Sequence, residues 1–100
     1  MLAVIESFAD KATEDIFNGI NSTDARRCLP RELWRIAFRK LDQLDSAASL
    51  DDLKVPPGNR LEALRGNRSG EYSIRINDQY RICFEWTEPN VKNVALIDYH

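Results

Sequence analysis

The chain has 100 residues, of which 43% are hydrophobic and 30% are charged, and its formal net charge is −2. This length allows one domain with a single core (residues 1–100), and the composition excludes a disordered chain. The net charge argues against a globally basic nucleic-acid binder, but the charge is unevenly spread. Residues 1–53 carry seven basic and ten acidic side chains, whereas residues 54–81 carry six basic and three acidic ones. We therefore expect a basic patch on an acidic body.

The sequence offers no candidate membrane segment. No stretch approaches the ~18 apolar residues that a spanning helix needs, and the short apolar run at residues 2–5 lacks the basic flank and the length of a signal peptide. We expect a cytoplasmic protein with no membrane partner. Cys28 and Cys83 are isolated in sequence and are expected to be reduced and partly buried.

The N-terminal third predicts a strand followed by a short helix. Residues 1–7 are β-like. Residues 11–18 predict a helix, because Asp10 can cap its start and Gly19 can end it. Residues 21–27 are polar and predict a connector.

A longer helix is predicted over residues 30–47, since proline is tolerated in a first turn. Its apolar residues recur at three- and four-residue spacing and form one stripe: Leu33, Trp34, Ala37, Phe38, Leu41 and Leu44. Opposite them, Arg31, Arg35 and Arg39 form a ridge at i, i+4 and i+8. This ridge is either a solvated helix face or a contact to RNA or an acidic partner.

The second half predicts strands joined by tight turns. Residues 55–58 are extended by their prolines, and the strands are predicted at 60–64, 71–76, 80–86 and 91–99. Asn77 and Asp78 form a hairpin turn. The expected fold is α+β, with two N-terminal helices on one face of a mostly antiparallel sheet of four to five strands. Arg75 and Arg81 would lie on the other face.

Few residues outside the arginines suggest chemistry. His100 is the only histidine, and no His/Cys/Asp cluster has metal-ligand spacing, so neither a metal nor a cofactor is expected. Arginines can clamp phosphate and stabilise charge developing on it, and the Asp98-Tyr99-His100 segment offers groups that exchange protons. The residues alone are compatible with metal-free RNA cleavage and equally with a plain binding surface.

Four segments resemble the killer-protein family of type II toxin–antitoxin systems, the HigB-like toxins of the RelE-like superfamily. They are PPGNRLEALRG at 56–66, YSIRIN at 72–77, QYRICF at 79–84 and DYH at 98–100. The resemblance implies a fold like that of small microbial RNases and a ribosome-dependent endonuclease that cleaves mRNA without a metal, by attack of the 2′-OH on the adjacent phosphate. The implied partner is a HigA-like helix-turn-helix antitoxin, which neutralises the toxin and links it to operator DNA.

The resemblance also implies roles for particular residues. Arg65 and Arg81 correspond to groups that bind and stabilise the phosphate, and Asp98 and Tyr99 correspond to an acid–base pair that His100 follows. Arg60, Arg68 and Arg75 are predicted as flanking RNA contacts. Of Asp98 and Tyr99, the resemblance favours Asp98 for proton transfer and Tyr99 for orienting the RNA or stacking on a base, or these two roles exchanged. At Glu62 some members have histidine and others glutamate, so either the general base is Asp98, or it is Glu62 used differently, or the activity is low.

Two other functions are compatible with the sequence. The chain could be a non-catalytic module that binds the antitoxin and acts as its co-repressor on operator DNA. It could also belong to the gyrase-poisoning branch of the superfamily, although the DYH segment and the pairing of Arg65 with Arg81 argue against that branch.

Overall fold

The computed structural model describes residues 2–66, 70–87 and 90–98. In chain order the strands and α-helices are β1 (Val4–Ile5), α1 (Lys11–Phe17), α2 (Thr23–Cys28), α3 (Trp34–Leu44), β2 (Glu62–Ala63), β3 (Glu71–Arg75), β4 (Tyr80–Thr87) and β5 (Asn90–Asp98). Short 3-10 segments lie at Arg31–Leu33, Leu50–Lys54 and Pro57–Asn59. The predicted α+β class and five-stranded sheet are confirmed.

The sheet has the strand order β1-β5-β4-β3-β2. Strand β1 pairs with β5 in parallel, and the other neighbours are antiparallel. The strand predicted within residues 1–7 is therefore present as β1 and forms one edge of the sheet. Both edge strands have two residues, whereas β5, the last strand in sequence, lies inside the sheet.

Helix α1 begins and ends where its sequence signals predict. The Asp10 carboxylate accepts a hydrogen bond from the Thr13 amide at 2.7 Å, and Gly19 follows the helix with φ at +74°. The helix docks on the sheet through a polar contact, because the buried Thr13 hydroxyl accepts a hydrogen bond from the Leu96 amide of β5 at 3.0 Å.

Residues 21–27 were predicted to be a connector, and this prediction was wrong. The Ser22 hydroxyl accepts a hydrogen bond from the Ala25 amide at 3.0 Å and caps α2. This helix buries only Ala25, so it lacks the apolar periodicity by which a helix is recognised in a sequence. The helix predicted over 30–47 is also shorter than expected, since its start is a 3-10 turn and α3 ends at Leu44.

Helix α1 carries a buried carboxylate that sequence reasoning missed. Asp15 is 1% exposed. It accepts hydrogen bonds from the Ser22 hydroxyl at 2.7 Å and the Lys11 ammonium at 3.2 Å. The Ser22 hydroxyl, and to a smaller extent Lys11, hold the pKa of this carboxyl below its ordinary value against the opposing effect of burial.

The core lies between the helices and one face of the sheet. Its largest fully buried apolar side chains are Phe84, Leu29, Leu41, Leu44, Leu53, Ile74, Ile82, Val91 and Val94. Side chains alternate along β3 and β4, so Ile74 and Ile82 face this core while Arg75 and Arg81 share the opposite face. Among the described helices the longest, α3, has eleven residues, and none has both the length and the apolar character to cross a bilayer.

Candidate active site

An open cleft of about 370 Å³ lies on the face of the sheet that the helices leave uncovered. It is lined by Arg60, Glu62, Arg75, Asn77, Asp78 and Arg81. Four of these residues were predicted to belong to the site from sequence: Arg60, Glu62, Arg75 and Arg81. Several guanidinium groups and carboxylates therefore share one cavity, an arrangement suited to binding an anion beside a proton acceptor.

Arg81 is the most firmly held cation of the cleft. Its Nε donates to the Ser73 hydroxyl at 2.9 Å, and one Nη donates to the backbone oxygen of Arg60 at 2.6 Å. Arg81 was expected to lie on an open face, yet it is 8% exposed and Ser73 is fully buried. The alternation of β4 correctly predicts the face, but the neighbouring loop covers it. A guanidinium fixed in this way needs little rearrangement to meet charge on a ligand.

The loop that covers Arg81 turns at Arg60. Arg60 has φ at +46° and ψ at +57°, a left-handed conformation that is uncommon for a residue with a side chain. The predicted strand over 60–64 is consequently wrong in its extent. A 3-10 turn at Pro57–Asn59 runs into this left-handed residue, and the strand that follows covers only Glu62–Ala63.

Arg75 lies directly across the β3–β4 ladder from Arg81. Like charges in this position repel each other. Arg75 is paired with the carboxylate of Asp78, whose side chain is 97% exposed. The turn between the strands is held by Asn77, whose side-chain oxygen accepts hydrogen bonds from the Gln79 amide at 2.9 Å and the Tyr80 amide at 2.8 Å. The predicted hairpin turn at Asn77 and Asp78 is thus confirmed.

Glu62 is the cleft residue best placed to accept a proton. It lies on β2 directly opposite Ser73, the residue whose hydroxyl binds Arg81. Side chains opposed in this way have Cβ atoms about 4.5–5.5 Å apart. Glu62 is exposed to solvent at the mouth of the cleft. The register therefore puts Glu62 on the same face of the sheet as Arg81, and both residues line the cleft.

The side chain of Asp98 leaves its strand on the face of the sheet opposite that of Arg81. Asp98 pairs with Tyr80, one position away from the pair of Arg81 and Ile97, so its Cβ and that of Arg81 point in opposite directions. The side-chain amide of Gln79 donates to the Asp98 carboxylate at 3.1 Å. Asp98 and Arg81 therefore lie on opposite faces of the same sheet. The sequence does not give the pairing register of the two strands, so it does not predict this separation.

Of the other predicted site residues, Arg65 is exposed just after β2 and is not among the described residues that line the cleft. Arg68, Tyr99 and His100 lie outside the described residues. Sequence reasoning missed the part that Ser73 has in holding Arg81. The alternation of β3 puts Ser73 and Arg75 on one face, and this signal could have indicated the contact.

The predicted ridge of Arg31, Arg35 and Arg39 does not line the cleft, and Arg31 lies in the 3-10 turn before α3. Arg35 and Arg39 are exposed, and the Arg31 guanidinium lies 5.6 Å from the centre of the Trp34 ring. Next to Arg39, burial and then the neighbouring Arg39 charge lower the pKa of Lys40. Within the described ranges, no three His, Cys, Asp or Glu residues are grouped in a way that could hold a metal ion.

Comparison with known proteins agrees with this architecture. Residues 6–100 match the family described as the RelE-like toxin of type II toxin–antitoxin system HigB. The chain is 42% identical to Toxin HigB-1 of Vibrio cholerae over 92 residues, which are 92% of this chain and 90% of that protein. It is 36% identical to an uncharacterized protein of Haemophilus influenzae over 73 residues, which are 73% and 72% of the two chains. The chain belongs to the HigB-like family of RelE-like toxins of type II toxin–antitoxin systems.

Proposed function

We propose that the protein is an endoribonuclease that cleaves mRNA on the ribosome and so inhibits translation, and that it uses its own side chains rather than a metal. The observation that carries this proposal is the position of Glu62 next to Ser73, which holds the guanidinium of Arg81. A carboxylate and a fixed guanidinium at adjacent positions offer the two groups that attack on a phosphate needs, a proton acceptor and a stabiliser of negative charge.

In the proposed reaction Glu62 accepts the proton of a ribose 2′-OH as its oxygen attacks the adjacent phosphorus. The Arg81 guanidinium stabilises the extra negative charge of the pentavalent phosphorus. The bond from phosphorus to the 5′-oxygen of the next nucleotide then breaks, and that oxygen takes up a proton. The products are a 2′,3′-cyclic phosphate and a 5′-hydroxyl, with no change of oxidation state.

Between the two candidate bases, the geometry favours Glu62 over Asp98. Glu62 lines the cleft, whereas Asp98 starts on the opposite face and is bonded by Gln79. We propose that Asp98 orients the segment that follows it, that Tyr99 stacks on a base of the mRNA, and that Tyr99 or His100 protonates the leaving oxygen. Arg65 is proposed to contact the phosphate from the rim.

The remaining arginines are proposed to bind the flanking phosphates. Arg60 and Arg75 line the same cleft as Arg81 and can neutralise neighbouring phosphates of a single strand. Arg68 is proposed to extend this contact.

The family indicates the partner. As a toxin of a type II system, the protein is proposed to act in the cytoplasm and to be neutralised by a HigA-like helix-turn-helix antitoxin, through which it reaches operator DNA. A relative of similar length, 42% identical, is named Toxin HigB-1, which supports the assignment of the toxin role.

The test is to map mRNA ends after brief induction and to repeat the cleavage with purified ribosomes and a defined mRNA. We expect new ends within coding sequence, with a 2′,3′-cyclic phosphate on the upstream fragment. An mRNA with one 2′-O-methyl group at the cleaved nucleotide should resist cleavage at that position only. If ribosome-bound mRNA stays intact while the protein increases the affinity of the antitoxin for operator DNA, the chain is a co-repressor and the nuclease proposal is wrong.

A further inference from the structure

We propose that Asn59 is a positioning residue for the reaction, acting on Arg81 through the backbone of Arg60. This inference rests on the proposed function, because it assigns Asn59 a part in setting the geometry of the cleft. Asn59 does not line the cleft: it is fully buried in the turn that precedes Arg60.

The side chain of Asn59 connects three separate parts of the chain. Its amide nitrogen donates to the backbone oxygen of Leu53 at 3.0 Å and that of Val55 at 3.3 Å, and to the Gln43 side chain of α3 at 3.2 Å. Its oxygen accepts a hydrogen bond from the Lys40 ammonium, also on α3. A fully buried amide with partners on both of its polar atoms is costly to replace, because each partner would lose a bond in a dry environment.

This network fixes the turn from both sides. The Asn59 backbone amide donates to the Pro56 oxygen at 2.9 Å, and the Arg60 amide donates to the Pro57 oxygen at 3.1 Å. Gln43 binds the Val55 oxygen independently, at 2.7 Å. The turn is therefore anchored to helix α3 rather than held by its own local bonds alone.

The next residue bears the strain. The backbone of Arg60 is in the left-handed conformation although the residue has a side chain. Such a conformation persists only where the surrounding structure imposes it. Asn59 is the buried anchor immediately before this residue. Without its bonds, we expect Arg60 to relax towards an ordinary backbone conformation.

The result of that conformation is an oxygen aimed at Arg81. The Arg60 carbonyl accepts the 2.6 Å hydrogen bond from an Arg81 Nη, while Ser73 holds Nε from the other side. If Arg60 relaxed, the guanidinium would keep its bonds to the Ser73 hydroxyl and, at 3.4 Å, to the Ser73 backbone oxygen, and would lose the shorter bond to Arg60. The loss of this bond would let the guanidinium shift from the position in which it meets the phosphate.

The expected kinetic effect separates this role from simple folding. A misplaced Arg81 should lower kcat, because its charge matters most in the transition state, and should change KM little. Displacements of about 1 Å at a reacting centre can cost roughly a hundredfold in rate. A loss of stability alone also lowers the apparent kcat, because fewer molecules are folded. The rate is therefore expressed per folded molecule, for which a loss of stability alone leaves kcat and KM unchanged.

The experiment compares Asn59→Asp with two further variants of the full chain. Asn59→Asp keeps the oxygen that binds Lys40 and removes the amide donors. Gln43→Ala is a milder change on the partly exposed rim of the same network. Thr13→Ala is the control, since it removes one buried hydrogen bond to β5 far from this turn. We expect kcat for ribosome-bound mRNA to fall about tenfold or more in Asn59→Asp, to fall less in Gln43→Ala, and to be unchanged in Thr13→Ala.

A second readout does not depend on activity. In the wild type the Arg81 guanidinium, held by Ser73 and by the Arg60 oxygen, should give resolved, slowly exchanging side-chain N–H signals by NMR. Asn59→Asp should average its Nη signals, because the shorter bond, to the Arg60 oxygen, is lost, while the Nε signal persists. If Arg81 keeps resolved Nη signals in both network variants, or if Thr13→Ala lowers kcat equally, the inference is wrong. If the wild type cleaves no mRNA, the proposed function fails, and the NMR comparison still decides whether Asn59 positions Arg81.

Discussion

The guanidinium of Arg81 is bound to the backbone oxygen of Arg60, 21 positions earlier in the chain, at 2.6 Å. This contact joins strand β4 in the sheet to the turn that precedes β2. The cation at the centre of the cleft is therefore held by main chain as well as by the Ser73 hydroxyl. Its position is a property of the fold and not of a flexible side chain.

Arg81→Lys should abolish most of the activity although it preserves the positive charge. A single ammonium on a flexible stem cannot bond Ser73 and the Arg60 oxygen in the fork geometry that Arg81 uses. We expect mRNA cleavage to fall by about 10²–10³, as when one preorganised donor is removed from an active site. Single-turnover cleavage on ribosomes measures the change. Arg26→Lys, at an exposed arginine of α2, is the matched control and should cleave normally.

Glu62→Gln tests the identity of the base. The side chain is exposed, so the change should shift the free energy of unfolding by less than about 0.5 kcal/mol. Loss of the proton acceptor should lower the cleavage rate by about 10²–10⁴. Asp98→Asn should lower the cleavage rate less, because the Cβ of Asp98 points to the face of the sheet opposite the cleft. A larger loss in Asp98→Asn than in Glu62→Gln would reverse the assignment of the base.

Asp78→Asn should strengthen RNA binding. The exposed Asp78 carboxylate pairs with Arg75 in the cleft and competes with phosphate for that guanidinium. Exposed pairs contribute roughly 0.2–1 kcal/mol, so the dissociation constant for a short single-stranded RNA should fall by up to about fivefold. Asp51→Asn is the matched control, because Asp51 is an exposed carboxylate that pairs with Lys54 at the same three-residue spacing and does not line the cleft. Equal affinities for the two variants would contradict the competition.

Asp15→Asn should change how stability depends on pH. The folded state lowers the pKa of Asp15, chiefly through the Ser22 hydroxyl, so the charged carboxylate stabilises the fold above the unfolded pKa of about 3.9. That contribution is lost as the pH falls through the lower folded pKa. The variant should therefore be less stable than the wild type at pH 7, and the difference should shrink below about pH 4. Urea unfolding at several pH values measures it, and a difference that stays constant down to pH 2 would contradict the assignment.

The parts of the fold that depend on local signals were predictable from the sequence. Asp10 and Gly19 mark both ends of α1, and the alternation of β3 and β4 places Arg75 and Arg81 together on one face. The four cleft residues named in advance came from this alternation and from the family resemblance.

The parts that depend on distant contacts were not predictable. The left-handed residue Arg60 follows a turn in which the buried Asn59 bonds to Lys40 and Gln43 of helix α3, and these partners lie 19 and 16 positions away in the sequence. The burial of Arg81 follows from that turn, because alternation gives the face of a side chain but not what covers it. Helix α2 was missed since it buries one alanine and is specified by its Ser22 cap.

The interior place of β5 has a consequence for incomplete chains. This strand lies between β1 and β4, supplies the buried Val91, Val94 and Leu96, and bonds back to Ser7, 86 positions before Asn93. A chain that stops short of β5 leaves β1 without a neighbour and β4 with an open edge. We therefore expect a translation product interrupted before β5 not to assemble the sheet that carries Arg81.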